Sequence, residues 1–277
     1  MPNRLIVAAW VMLLALSAFG QDSINTTSSG GAFSGSAHFG PALRAGAPVT
    51  GAPYAGERVS ETVQTLADGT HITRTMAPTK EYRDSQGRTR TERSMFRGSV
   101  EKGRNVPDAP TIIEITDPVA QVRYTLDTQN KVAHRQALKP LATPAHRPAR
   151  AAASGAATSG LAIAPADAER PTSTTEKLEP QTIEGLEAEG TRHTTTWSEG
   201  AVGNDRPITA VSETWRSLEL KVPVLIKNND PRSGEHTERL TNINRSEPDA
   251  SLFQPPADYT IVDEKEDFTI KWGAGPQ

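Results

Sequence analysis

Two segments of the chain carry the pattern of β-strands: short runs rich in Thr, Val, Ile and Tyr, separated at close intervals by turn signals. They cover residues 57–136 and 173–272. The sequence has no helical patterns that could serve as crossover connections, so consecutive strands are expected to pair antiparallel. The pattern predicts a mainly β protein of about ten strands, in which the two segments are the two halves of a single sheet.

One hairpin can be predicted in detail. Residues 84–87 (Asp-Ser-Gln-Gly) fit a type I turn, with Asp in the first position and Gly in the fourth. Polar side chains lie on both faces of the hairpin near its tip. The hairpin is therefore expected to project from the sheet. The turn sets a register of three favourable cross-strand pairs, which are Lys80 with Glu92, Tyr82 with Arg90, and Asp84 with Arg88.

The C-terminal run combines a helix start, an apolar pair and a double proline. Ser246 is a suitable N-cap for a short helical turn whose apolar face is Leu252 and Phe253. The double proline then directs the chain into strands near residues 259–262 and 268–272. We expect the apolar pair to pack against the sheet. The alternative is that Phe253 is an exposed docking residue.

Three segments lack any sustained period. Residues 21–56 are rich in Gly, Ser, Ala, Thr and Pro, and residues 137–172 are rich in Ala and Pro. Such compositions bury too little apolar surface to offset the entropy of ordering. We therefore expect a disordered N-terminal tail, a linker or insertion between the two β segments, and a short tail over residues 273–277.

The N-terminus has the three parts of a secretion signal. Arg4 precedes an apolar run over residues 5–16, and small residues follow up to Gly20. The run is short for a membrane span. We expect residues 1–20 to be a signal peptide cleaved near Gly20-Gln21. The mature protein is then periplasmic or extracellular and has no transmembrane segment.

Composition excludes several kinds of chemistry. The chain has no cysteine, so disulfides, thiol nucleophiles and thiolate metal sites are excluded. The formal net charge is −3, whereas a general nucleic-acid binder would be strongly basic. No cofactor motif is present, because no Gly-rich phosphate loop precedes a helix. We expect neither a cofactor nor a nucleic-acid partner.

Five side chains are candidates for binding. Trp197 and Trp215 lie on adjacent predicted strands and could line a ligand cleft, although such residues are more often part of a core. Arg83, Arg88 and Arg90 belong to a basic concentration that could hold an anionic headgroup or a polysaccharide. Their acidic neighbours favour a different interpretation, in which they belong to an exposed, charge-rich hairpin.

Catalytic signals are weak. The sequence has no G-x-S-x-G nucleophile elbow and no H-E-x-x-H zinc motif. The histidines at positions 71, 134, 193 and 236 fall on separate predicted strands. A hydrolase therefore remains an alternative only if the fold brings histidines and carboxylates together.

Three runs resemble an uncharacterised family of secreted bacterial proteins: YRDSQGRTRTE (82–92), IEITDPVAQVRYTLD (113–127) and NRSEPDASLFQPPADY (244–259). More remotely, the strand meander and its C-terminal motif are similar to the superfamily of periplasmic lipoprotein carriers. This resemblance implies a curved antiparallel sheet, an unclosed barrel, with a few short helices on its concave side. In the carriers that concavity holds acyl chains.

These expectations combine into one hypothesis and two alternatives. The hypothesis is an exported, non-enzymatic binding module whose concave sheet face accepts an apolar or amphipathic ligand, such as a lipid, or an envelope polypeptide. The first alternative is a structural or interaction protein with a filled core, and the second is the hydrolase. An open cleft would favour binding, whereas a filled concavity would favour the structural role.

Overall fold

The structure, a computed structural model, describes residues 23–29, 32–44, 47–95, 110–140 and 170–273. The expected signal peptide and most of the expected insertion lie outside these residues, as do residues 274–277. The strands are β1 Ser23–Ser29, β2 Ala32–Phe39, β3 Leu43–Arg44, β4 Tyr54–Thr65, β5 His71–Thr75, β6 Thr79–Arg83, β7 Thr89–Ser94, β8 Thr111–Asp117, β9 Val122–Asp127, β10 Val132–Ala137, β11 Lys139–Pro140, β12 Thr172–Ile183, β13 Leu186–Trp197, β14 Ile208–Ser217, β15 Pro223–Asp230, β16 Gly234–Asn244, β17 Thr260–Asp263 and β18 Phe268–Trp272.

Thirteen of these strands form one curved sheet that does not close into a barrel. Their order is β12-β13-β14-β15-β16-β4-β6-β7-β8-β9-β10-β17, and β5 pairs with the far part of β4. The pairing of β16 with β4 joins the two halves of the chain. The prediction of a mainly β fold built on one large, curved and unclosed sheet is confirmed. The parallel pairing of β10 with β17 is an exception to the antiparallel rule.

A small sheet, in the order β1-β2-β18, packs on one face of the large sheet. Phe39 of β2 stacks on Phe268 of β18, with ring centroids 5.1 Å apart. Both rings belong to a buried cluster with Ile112 of β8 and Met95. The structure therefore differs from the expected tail over residues 21–56. Within its Gly- and Ser-rich sequence, alternating Ala37 and Phe39 supply enough buried apolar surface for β2 to dock.

The opposite face of the same strands is covered by one turn of 3-10 helix, Ala250–Phe253. Phe253 is 1% exposed and packs with Ile115 and Leu126, and Leu252 lies against this cluster. The predicted packing of Leu252 and Phe253 is confirmed. The predicted N-cap was wrong, because the Asp249 side chain, not that of Ser246, accepts the hydrogen bond from the Ser251 amide.

Where the resemblance implies a few short helices over the sheet, the described residues contain this one 3-10 turn. The small sheet and the C-terminal segment provide the cover instead. Strands β8 and β9 consequently have buried side chains on both faces. Parts of the long strands β4 and β12 to β16 have none.

A third cluster closes one end of these long strands. Trp215 of β14 lies over Gly190 of β13, and a Cβ at Gly190 would meet its ring at 2.6 Å. Leu225, Leu240 and Tyr54 are buried in the same cluster. Gly190 is thus required for close packing of the indole. Beyond this cluster the long strands continue without cover.

Candidate functional site

The uncovered part of the large sheet, which we call the open blade, is a single layer with solvent on both faces. None of its residues is buried, although each is hydrogen-bonded into the sheet. Its many threonines suit a pleated surface that no second layer covers. The open blade comprises residues 57–65, 71–75, 172–177, 191–197, 208–214, 226–230 and 235–239.

One face of the open blade, the front face, carries a row of alternating charges. The strand register places Glu176, Arg192, Glu213 and Lys227 directly opposite one another on four neighbouring strands. Arg192 donates to Glu176 Oε1 and to Glu213 Oε1, each at 2.8 Å. These hydrogen bonds raise the pKa of Arg192. We call these four residues the charge ladder.

Three members of the charge ladder, Arg192, Glu213 and Lys227, lie on the floor of a trough of about 610 Å³, and Glu176 lies outside its lining. Val211 is the single aliphatic residue among those that line it, and the others are polar or charged. The surface presents charged and amide groups to a ligand, together with the aliphatic parts of the same side chains, which form the larger share of the exposed lining. The other residues that line this charged trough are Arg192, Glu213, Lys227, Asn228, Asn229, Glu235, His236 and Thr237.

The back face of the open blade carries a recess of about 180 Å³. His193, Ser212 and Asn228 lie directly opposite one another on its floor. At its end the guanidinium of Arg232 lies 4.1 Å from the ring centroid of Trp197. Arg232 also binds Asp230 at 2.6 Å, and this contact lowers the pKa of Asp230.

The two candidate tryptophans do lie on adjacent strands, as predicted, but they do not form one cleft. Trp215 is paired with Gly190 and is 7% exposed in the core. Trp197 is paired with Ile208 at the opposite end of β13. Trp197 lines the recess on the back face, whereas Trp215 is part of the core, where tryptophans more often lie.

The predicted hairpin has the predicted register, since Lys80 pairs with Glu92 and Tyr82 pairs with Arg90. Its expected projection from the sheet was wrong. Arg83 and Asp84 at its tip are 4% and 1% exposed. The neighbouring segment with Ala52 and the loop with Leu220 both cover the tip.

The three candidate arginines all have partners within the protein. Arg83 donates to the carbonyl oxygens of Ala52 and Leu220, and burial lowers its pKa. Arg88 binds Asp84 at 2.5 Å and lies over the Phe253 ring. Arg90 donates to Glu92 at 2.7 Å and to the Leu252 carbonyl oxygen at 2.9 Å. Through these contacts the three arginines stabilise the fold. That they also bind a ligand stays a prediction.

The four histidines do not converge. His134 lies 2.7 Å from Glu264 and stacks on Phe268, whereas His193 and His236 hydrogen-bond to Thr175 and Thr62. Among the residues that the structure describes, no group of three His, Asp or Glu side chains could hold a metal ion. In the same residues no helix is long and apolar enough to cross a membrane.

Sequence reasoning missed the residues that form the charge ladder. Each of them lies on a different strand, so no local motif joins them. The signal that could have found them is the hairpin register: once Arg192 is set opposite Glu213, Lys227 follows on the next strand.

No protein-family model matches the chain, and no curated protein matches it in sequence. Several solved structures have a similar arrangement of strands. One chain of the MucA/MucB complex from Pseudomonas aeruginosa is 11% identical, with a TM-score of 0.35 over 76% of this chain and 58% of that chain. The chain thus spans less than two thirds of the length of that protein.

Two further structures cover more of their own length. A DUF1329 family protein from Desulfovibrio piger is 8% identical, with a TM-score of 0.20 over 74% of this chain and 91% of that chain. An outer membrane lipoprotein-sorting protein domain from Vibrio parahaemolyticus is 10% identical, with a TM-score of 0.21 over 72% and 88%. At such identities and TM-scores, the likeness carries no argument about function.

Proposed function

We propose that the protein is an exported, non-catalytic binding module that holds a polypeptide of mixed charge on the front face of its open blade. The observation that carries this proposal is the charged trough, with the alternating charges of Arg192, Glu213 and Lys227 along its floor. A filled concavity would have favoured a purely structural role. The trough is open, and its charged side chains can bind the charged groups of a ligand.

The charged side chains of the trough favour a polypeptide over an acyl ligand. Burying a hydrocarbon chain against charged groups removes water from those groups without replacing its hydrogen bonds. A polypeptide can replace them with its own carboxylate, ammonium and amide groups. Export rests on Arg4, the apolar run over residues 5–16 and the small residues that follow.

The test compares two kinds of ligand on the same protein. We expect a fluorescein-labelled peptide of alternating Lys and Glu to bind, and its affinity to fall as salt is raised. Cis-parinaric acid, a fluorescent fatty acid, is expected to bind more weakly. Lys227→Glu places a carboxylate opposite Glu213 and is expected to weaken peptide binding.

Arg74→Glu is the matched control, because it makes the same change of net charge on the back face. It should leave the affinity for the peptide unchanged. Parinarate binding tighter than the peptide, with no effect of Lys227→Glu, would contradict the proposal and support a lipid ligand. If neither the peptide nor cis-parinaric acid binds, the result would support the structural alternative.

A further inference from the structure

The free edge of the large sheet has the features of a docking site for an extended polypeptide. β12 pairs with β13 on one side, and no described residue pairs with it on the other. Residues 172–178 form an uninterrupted ladder with β13. Side chains 172–177 are exposed on both faces, so the outward amide and carbonyl groups of this run are accessible.

A sheet edge is usually blocked by charged side chains, very short length, a covering element, proline or a bulge. Residues 172–178 carry two charged side chains, Glu176 and Lys177, but have neither proline nor a bulge. In β12 these last two devices are confined to the far end, where Pro180 lies in a register shift between Leu178 and Gln181. At the other edge, β17 has only four residues, and Arg135 binds its Asp263 at 2.5 Å. The two edges are therefore not equivalent.

The charges of β12 indicate what kind of strand would fit. Glu176 is the outermost member of the charge ladder, in which the charge alternates at each step. The next strand would continue this alternation with a basic residue opposite Glu176. Lys177, which points to the back face, would be matched by an acidic residue.

We propose that the residue 172–178 edge of β12 binds an extended polypeptide segment as an added antiparallel strand, with a basic residue opposite Glu176 and an acidic residue opposite Lys177. Main-chain hydrogen bonds would supply the affinity, and these two residues would select the sequence. This contact is separate from the charged trough and does not depend on Lys227.

The test uses two peptides that differ only opposite Lys177, TEKTVTV and TKKTVTV. We expect the wild-type protein to bind the first about twofold to fivefold more tightly, the effect of one cross-strand charge pair. Lys177→Glu is expected to reverse the preference. Arg74→Glu, with the same change of net charge, should retain it. Added TEKTVTV should also slow hydrogen exchange of the amides in residues 172–178.

Three results would overturn the proposal. The first is that neither peptide binds at millimolar concentration. The second is that the preference is the same after Lys177→Glu as before it. The third is a dimer in sedimentation that TEKTVTV does not dissociate, because the edge would then belong to a second copy of the chain. If peptide binding responds to Lys227→Glu but not to Lys177→Glu, the trough keeps its proposed role and the edge loses its own.

Discussion

Phe253 is the side chain whose removal should reveal most about how the C-terminal segment holds the sheet. It is 1% exposed, and it packs against Ile115 and Leu126 beneath the 3-10 turn. The guanidinium of Arg88 lies over the ring, 5.2 Å from its centroid, and covers it. Little in this enclosed site can collapse into the space that the ring would leave.

The magnitude follows from this enclosure. Truncating a buried Phe to Ala costs about 3–5 kcal/mol of unfolding free energy. A domain of this size loses roughly 2–4 °C of melting temperature per kcal/mol. Phe253→Ala should therefore lower the melting temperature by about 6–20 °C. The assay is a thermal melt followed by circular dichroism, on wild type and variant in the same buffer.

The matched control is Leu218→Ala, which removes an apolar side chain that is 48% exposed. It should change the melting temperature little, because exposed side chains have small effects on stability. A shift below about 2 °C for Phe253→Ala would mean that the ring contributes about 1 kcal/mol or less. That result would refute the buried-anchor argument and return Phe253 to the role of a docking residue.

Three other changes test separate features. Gly190→Ala would bring a methyl group against the Trp215 ring and should cost about 1–3 kcal/mol, measured by urea unfolding. Arg83→Met would leave two carbonyl oxygens without their donor and should cost about 2–4 kcal/mol in the same assay. The pKa of Asp263 is lowered, first of all by its hydrogen bond from Arg135. Stability from this pair is present above the unfolded carboxyl pKa and is lost as pH falls through the lower folded pKa. Protection factors of the β17 amides should therefore decrease below about pH 4.

Each of these changes has a control or an outcome that would contradict it. Gly40→Ala should be tolerated, because a Cβ at Gly40 meets no atom within 4 Å. A loss for Arg83→Met no larger than for Arg206→Met, at an exposed position, would mean that its two carbonyl oxygens are hydrated instead. Unchanged protection factors of β17 at acidic pH would show that backbone pairing alone holds that strand.

The sequence predicted best what is decided within one hairpin. The register from Lys80 to Glu92 follows from the turn at Gly87, whose φ is +82°. The burial of the same hairpin did not follow, because Ala52 and Leu220 cover it from distant parts of the chain. A polar sequence indicates exposure only when no carbonyl oxygens elsewhere are arranged to accept its donors.

The strands β2 and β18 show a second limit. The sequence predicts a strand where β18 lies. It assigns the residues of β2 to a tail, because Gly and Ser dilute the alternation of apolar residues there. Each has few apolar residues, and the two are stable as a pair because Phe39 and Phe268 share one cluster. The trough was missed for a similar reason, since its residues become neighbours only after four strands have paired.

The pairing of β2 with β18 also constrains the order in which the molecule can be completed. It joins residues 35–39 to residues 268–272, close to the two ends of the described chain. During synthesis, β2 emerges early and β18 much later. Until then Ile112 and Phe39 lack the aromatic side chains that enclose them. Closure of such a distant contact is slow, so the unfinished chain exposes this surface to chaperones and proteases for most of its synthesis.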